Sequence, residues 1–190
     1  MLQAVLFDLD GTLLRVDTAQ FTSEYIKDLT STVAPAVDPG SFTRALMSSI
    51  SAMMAKREPG LTNSEVFWSD FKSRMGNSIE VLEPIFEDFY ATKFKQLSRV
   101  ASPGEYSRRA VQAALDRGLR IAMATQSVFP LSAVRDRMDW AGVADLPWDF
   151  VANYEEMHFC KPSPDYYLEI AERMGLQPGE CIEECMAGIT

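Results

Sequence analysis

The stretch that most constrains this chain is Gln3 to Leu14, QAVLFDLDGTLL. In it an apolar run from Ala4 to Phe7 meets Asp8 and Asp10, and Gly11-Thr12 then turns the backbone. The run reads as a buried strand, and side chains two apart in a strand point the same way, so both carboxylates leave its carboxyl end together. Like charges this close repel unless a cation or a shared proton relieves them. A divalent metal is the simpler relief, because Mg2+ takes hard oxygen donors and keeps waters and substrate phosphate in its remaining positions. The end of a buried strand is also where open α/β sheets place their ligands. Gly11 permits the tight turn, and amides exposed there can hold anionic oxygens. The plainer alternative is a surface turn with a solvated Asp8, and the Val-Leu-Phe run ahead of the acids argues against it.

DLDGTLL at the end of a first strand resembles the first motif of the haloacid dehalogenase superfamily, in its phosphoryl-transfer branch. The dehalogenase branch lacks an acid at the position of Asp10. The resemblance implies that Asp8 is a nucleophile that becomes an aspartyl-phosphate. It also implies that Asp10 is the general acid toward the leaving oxygen and then the base for water, and that both residues bind Mg2+, Asp10 through its backbone carbonyl. The chemistry is coherent by itself. A carboxylate can attack phosphorus when the charge on the phosphoryl oxygens is neutralised, and a second acid must manage protons nearby.

With 190 residues the chain has room for one or two domains and a core that folds without staples. Its formal net charge of −9 argues against a nucleic-acid or anionic-membrane partner, and means that a phosphate site must rely on a metal and local donors. No apolar run approaches the roughly 18 residues of a spanning helix, and Met1 to Leu9 lacks the basic start of a signal peptide, so a cytoplasmic protein is expected. Cys160, Cys181 and Cys185 are an odd number, as in a reducing compartment. Cys181 and Cys185 lie near the single His158 without any C-x-x-C pair, and no structural zinc site is expected.

From about Asp17 to Leu97 the periodicity is helical. Phe21, Tyr25 and Leu29 share the face of a first helix ending at Ala34-Pro35. Phe42, Leu46, Ile50 and Met53 mark a second. Thr62 and Glu65 have the spacing of a capping box ahead of a third, with Phe67, Trp68, Phe71 and Met75. A fourth is expected from near Pro84, with Phe86, Tyr90, Phe94 and Leu97 inward. Such stripes are core first and pocket lining second. A helical insert at this place resembles the helical cap of the superfamily, which closes over the site and suits small phosphorylated metabolites. The division expected is residues 1–14 and 99–190 as the α/β core and 15–98 as the cap. Arg15, just after the first motif, reads as a solvated hinge residue or a contact for a substrate anion.

The α/β pattern resumes at Ser102-Pro103-Gly104-Glu105, which reads as an N-cap and first turn of a helix that Gly118 stops. Leu119 to Thr125 is a buried strand, and a hydroxyl at its end can donate to a phosphoryl oxygen. The resemblance assigns Thr125 to phosphate binding and the following Gln126 to a substrate contact, where many relatives carry Asn. A helix over Pro130 to Trp140 follows, then a short strand near Asp149 to Ala152. Lys161-Pro162-Ser163-Pro164 places one cation in a rigid loop before a helix capped by Ser163, with Tyr167, Ile170, Ala171 and Met174 inward. K-P-x-P resembles the third motif, and it implies that Lys161 neutralises nucleophile and phosphate together. His158 reads as packing or loop hydrogen bonding.

Relatives end the next strand with an acidic pair that completes the metal site. Here Pro178-Gly179-Glu180-Cys181-Ile182 is followed at once by Glu183-Glu184-Cys185-Met186-Ala187-Gly188, an apolar stretch too short to cross a sheet. It reads as two flanks of a fourth motif with the middle absent from the sequence in hand. Truncation, or a degenerate relative without a full metal site, are the alternatives, and Glu183 and Glu184 are the acids present. The fold expected is a doubly wound, Rossmann-like parallel sheet with an inserted all-helical domain. The function expected is Mg2+-dependent hydrolysis of a small phosphomonoester. A phosphosugar mutase of the same family and a catalytically degenerate binding protein are the rivals. Oligomeric state is not legible.

Overall fold

β1 (Ala4–Phe7) lies inside a four-stranded parallel sheet in the computed structural model, which describes residues 1–184. β4 (Arg120–Met123) and then β5 (Phe150–Val151) lie on one side of it, and β6 (Cys181–Glu184) on the other. Phe7 stands opposite Met123 on one neighbour and Glu184 on the other, so three strand ends meet at the level of Asp8.

The two faces of β1 follow its alternation. Val5 and Phe7 join a cluster with Val111 and Ala114 of α5 (Ser107–Leu115) and Val134 and Met138 of α6 (Leu131–Trp140). Ala4 and Leu6 face Tyr166 and Ile170 of α7 (Pro164–Arg173). Helices on both faces explain why all of β1 is buried and its sequence continuously apolar. The expected doubly wound α/β class is the one observed.

Between β2 (Leu14–Val16) and β3 (Ala101–Pro103), which pair antiparallel, the chain runs through the helical segment. Its helices are α1 (Thr18–Val33), α2 (Pro39–Ala55), α3 (Asn63–Met75) and α4 (Ile79–Ala91), followed by a 3-10 stretch over Phe94–Val100. Thr62 and Glu65 form the expected capping box. Phe42, Phe67, Phe71, Phe86, Phe89 and Phe94 are buried together in the centre of the segment.

Three local expectations are corrected. Ser102 and Pro103 are not a helix start, because they pair with Leu14 and Arg15 in the ribbon. α5 therefore begins only at Ser107. α4 starts at Ile79 rather than near Pro84, and the proline sits in its second turn, where its missing N–H removes one helical hydrogen bond. The stretch from Cys181, which looked too short for a strand, pairs with β1 along its whole length, because β1 has only four residues itself. The remainder of the expected fourth motif, with Cys185, lies outside the described residues.

The helical segment and the core share apolar surface. The Phe94 ring stacks on Trp140 with centroids 5.6 Å apart, and Tyr25 packs edge-on against Phe129 at 5.2 Å. At the start of α3, Asn63 Nδ2 lies within 3.2 Å of Ser127 O, 3.0 Å of Ser127 Oγ and 3.2 Å of Phe159 O. Its two hydrogens are thus shared between two core loops. The backbone adds Asn63 N to Met157 O and Ser64 N to Tyr154 O, each 2.8 Å.

Candidate active site

The chain leaves β1 at Phe7 and closes a turn in which Gly11 N donates to Leu14 O at 2.8 Å and Leu14 N to Leu9 O at 2.8 Å. Gly11 takes φ 79°, a conformation that side-chain-bearing residues resist. This turn separates the two carboxylates. Asp8 receives Thr12 Oγ1 at 3.1 Å on Oδ2 and Lys161 Nζ at 3.0 Å on Oδ1. Asp10 instead receives Arg137 Nη2 on Oδ2, while its Oδ1 is buried and has no hydrogen-bond partner among the described residues. The repulsion foreseen for the pair is met by one protein cation for each acid.

Lys161 is placed by its neighbours. Gln126 clamps its backbone from both sides, with Nε2 donating to Lys161 O at 3.1 Å and Oε1 accepting from Lys161 N at 3.0 Å. The Gln126 amide is thus engaged with the lysine that it was expected to accompany at the substrate. Lys161 Nζ also reaches Glu183 Oε1 at 2.9 Å and lies over the rings of Tyr166 and Tyr167. Burial alone would push its ammonium pKa down, but the Asp8 and Glu183 carboxylates outweigh that and raise it above the ordinary lysine value. Tyr167 donates to the same Glu183 oxygen at 3.0 Å.

Thr125 lies two residues past β4, almost fully buried, and its Oγ1 has no partner among the described residues. Its carbonyl accepts Tyr166 OH at 2.5 Å, which fixes the backbone beside β1. A buried hydroxyl without a partner costs free energy unless something arrives to accept from it. Ser163 holds the N-cap position of α7 without a capping bond. Tyr166, rather than the expected Tyr167, turns into the core.

Arg15 lines a cavity together with Gly11 and Thr12, whereas His158 is held in a separate loop. Arg15 is exposed in β2 and pairs across to Ser102. His158 Nδ1 is 2.7 Å from Glu169 Oε1, a loop hydrogen bond as expected.

Arg137 is what the sequence reading missed. It occupies the inward face of α6, three residues after Val134 and next to Met138, and the signal was a charge at an apolar position of a helical stripe. Burial pulls its guanidinium down to about 10, against the pull of the Asp8 charge, so it remains protonated at neutral pH.

The donors present suit a hard divalent cation in kind, since Asp8 and Asp10 bring oxygens to one strand end, although among the described residues no group of three or more His, Cys, Asp and Glu is placed to hold a metal. Among the described residues no helix is long and apolar enough to cross a membrane.

A family model described as haloacid dehalogenase-like hydrolase matches residues 2–182. YhcW of Bacillus subtilis (strain 168), which carries a provisional phosphatase name, is 24% identical over 182 residues, spanning 96% of this chain and 74% of its own. Two solved structures share the fold. A predicted phosphoglycolate phosphatase from Haemophilus somnus 129PT has a TM-score of 0.56 at 13% identity, over 96% of this chain and 76% of its own. CbbY from Rhodobacter sphaeroides, in complex with phosphate, has a TM-score of 0.52 at 20% identity, over 96% and 77%. A mutant of CbbY was solved with xylulose-(1,5)bisphosphate.

Proposed function

The chain belongs to the haloacid dehalogenase-like hydrolases, and from that membership we propose that it hydrolyses a small phosphomonoester with Mg2+ through an aspartyl-phosphate on Asp8. The observation that carries the reading is the setting of Asp8: Lys161 at 3.0 Å on one oxygen, Thr12 at 3.1 Å on the other, and the buried Thr125 hydroxyl nearby in the fold without a partner. A carboxylate so held is oriented, and the groups around it are donors suited to phosphoryl oxygens. The provisional name of YhcW and the phosphate found in CbbY agree with that class of substrate.

An Asp8 oxygen attacks phosphorus as the P–O bond to the leaving alcohol breaks, and Asp10 gives that oxygen a proton. Asp10 then takes a proton from water as the water attacks the phosphorus, which restores Asp8 and frees inorganic phosphate. Thr125 and Lys161 hold the phosphoryl oxygens, and Gln126 keeps Lys161 in place. Asp8 through its carboxylate and Asp10 through its backbone carbonyl would hold Mg2+, which when bound neutralises phosphoryl charge. In this reading residues 15–98 act as a cap that excludes water from the core of residues 1–14 and 99–190.

Phosphate release from phosphosugars and other phosphometabolites, with and without Mg2+, tests the proposal on wild type and Asp8→Asn. Mg2+-dependent release that the substitution abolishes is expected. Full activity in Asp8→Asn would rule out the nucleophile, and recovery of an isomeric phosphosugar in place of free phosphate would make the protein a mutase.

A further inference from the structure

Arg137 carries a buried charge for which the mechanism above has no use. Its side chain is 1% exposed, at a position of α6 where the helical stripe calls for an apolar residue. Burying a guanidinium is costly unless its charge is matched, and its one hydrogen bond among the described residues runs from Nη2 to Asp10 Oδ2, with Nε and Nη1 unpartnered. Two rings grip it. Its Cζ lies 5.5 Å from the centroid of Phe21 and 5.0 Å from that of Phe129. Phe21 belongs to α1 of the helical segment and Phe129 to the loop before α6, so the clamp is closed from both sides of the molecule.

A carboxylate free at both oxygens turns about its last torsion, whereas one tied at Oδ2 presents Oδ1 in a fixed direction. Among the described residues Oδ1 is left buried and without a partner. We propose that Arg137 is a positioning residue for Asp10: gripped between Phe21 and Phe129, it holds Oδ2 and so aims Oδ1 at the oxygen that leaves phosphorus. The proposal rests on the role given to Asp10 above. It also gives the helical segment a part in the chemistry, since the seating of Phe21 bears on the aim of Asp10.

Removing one partner of a buried ion pair is destabilising whatever its role, so the test reads the ratio of losses on two substrates, which a merely structural arginine would leave unchanged. The experiment compares kcat/KM of wild type, Arg137→Met and Arg137→Lys on an alkyl phosphate, whose leaving group needs a proton, and on p-nitrophenyl phosphate, whose leaving group does not. Arg137→Met should lose about 100-fold on the alkyl ester and under about tenfold on the aryl ester, a difference confined to the step in which Asp10 meets the leaving oxygen. Arg137→Lys should recover part of the alkyl activity. Equal losses on both esters, or none, would overturn the proposal.

Nitrogen-15 spectra of the arginine side chains provide a second reading that needs no turnover and no Arg137 variant. Resolved Arg137 Nη signals that shift in Asp10→Asn support the contact, and signals unmoved by that substitution refute it. A wild type silent on every ester, with the contact seen by resonance, would count against the phosphatase reading and not against the pairing. It would still overturn the catalytic aim proposed for Oδ1.

Discussion

Lys161 Nζ bridges Asp8 Oδ1 at 3.0 Å and Glu183 Oε1 at 2.9 Å, so that one ammonium from the loop before α7 joins the ends of two neighbouring strands. Removing it leaves the part-buried Asp8 carboxylate and the exposed Glu183 carboxylate without the cation they share. Lys161→Met is expected to lower kcat by about 100- to 1,000-fold, the scale of losing one group that stabilises transition-state charge. The same variant should lose about 1–3 kcal/mol of stability, for acceptors stripped of a donor. Phosphate release and urea denaturation measure the two effects, and a variant as stable and active as wild type would show that the bridge does neither job.

The same lysine sets an alkaline limit. Its folded pKa is raised, so the folded state holds the proton more tightly than the unfolded chain. The stabilisation is fully present below the unfolded lysine pKa of about 10.4 and is lost as pH rises through the folded value. Thermal melts should therefore fall above about pH 10.4 more steeply for wild type than for Lys161→Met. Parallel curves would contradict the linkage.

Thr125 separates stability from activity. Its hydroxyl is buried without a partner among the described residues, so Thr125→Val should leave the melting temperature unchanged or raised, by up to about 1 kcal/mol in stability. Phosphate release should drop by about tenfold or more, the equivalent of one hydrogen bond to a charged group, and Thr125→Ser should restore it. A valine variant with normal kcat/KM would remove Thr125 from the site.

Gly104 is predicted to tolerate no side chain. A Cβ there would meet Ser107 Oγ at 2.3 Å and Leu13 O at 3.1 Å, in the place where Ser107 Oγ donates to Leu13 O at 2.6 Å and Gly104 N to the same oxygen at 3.0 Å. Gly104→Ala should cost about 1–3 kcal/mol, as overpacking does, read by denaturant midpoint. The turn that carries Asp10 leans on this contact, so activity should fall with it.

The strand ends were the legible part of the sequence. An apolar run that stops at a polar residue marks both a buried strand and the place where a candidate side chain emerges, which singles out Asp8 and Thr125, whereas Lys161 is marked by the Lys-Pro-Ser-Pro loop ahead of a helix. The helices of the inserted segment were legible because their aromatic stripes repeat with the helical period. Three-residue strands such as Leu14–Val16 and Ala101–Pro103 have no period to read, and the pairing of Arg15 with Ser102 is long-range. Arg137 was hidden for the opposite reason. A charge on a helix is ordinarily solvated, and only its place in the fold, between two rings and a carboxylate, reveals that this one is not.

Asn63 belongs to the helical segment by sequence, yet its amide ties together the loops that carry Thr125 and Lys161. The segment is therefore not an exchangeable attachment. A chimera that took its helices from a relative lacking an amide at this position would keep a well-packed bundle and both loops, and would lose the donor that they share. Under the function proposed above, the segment that would cap the site also braces two of the loops beneath it, so a change in the helices at Asn63 is felt by those loops as well.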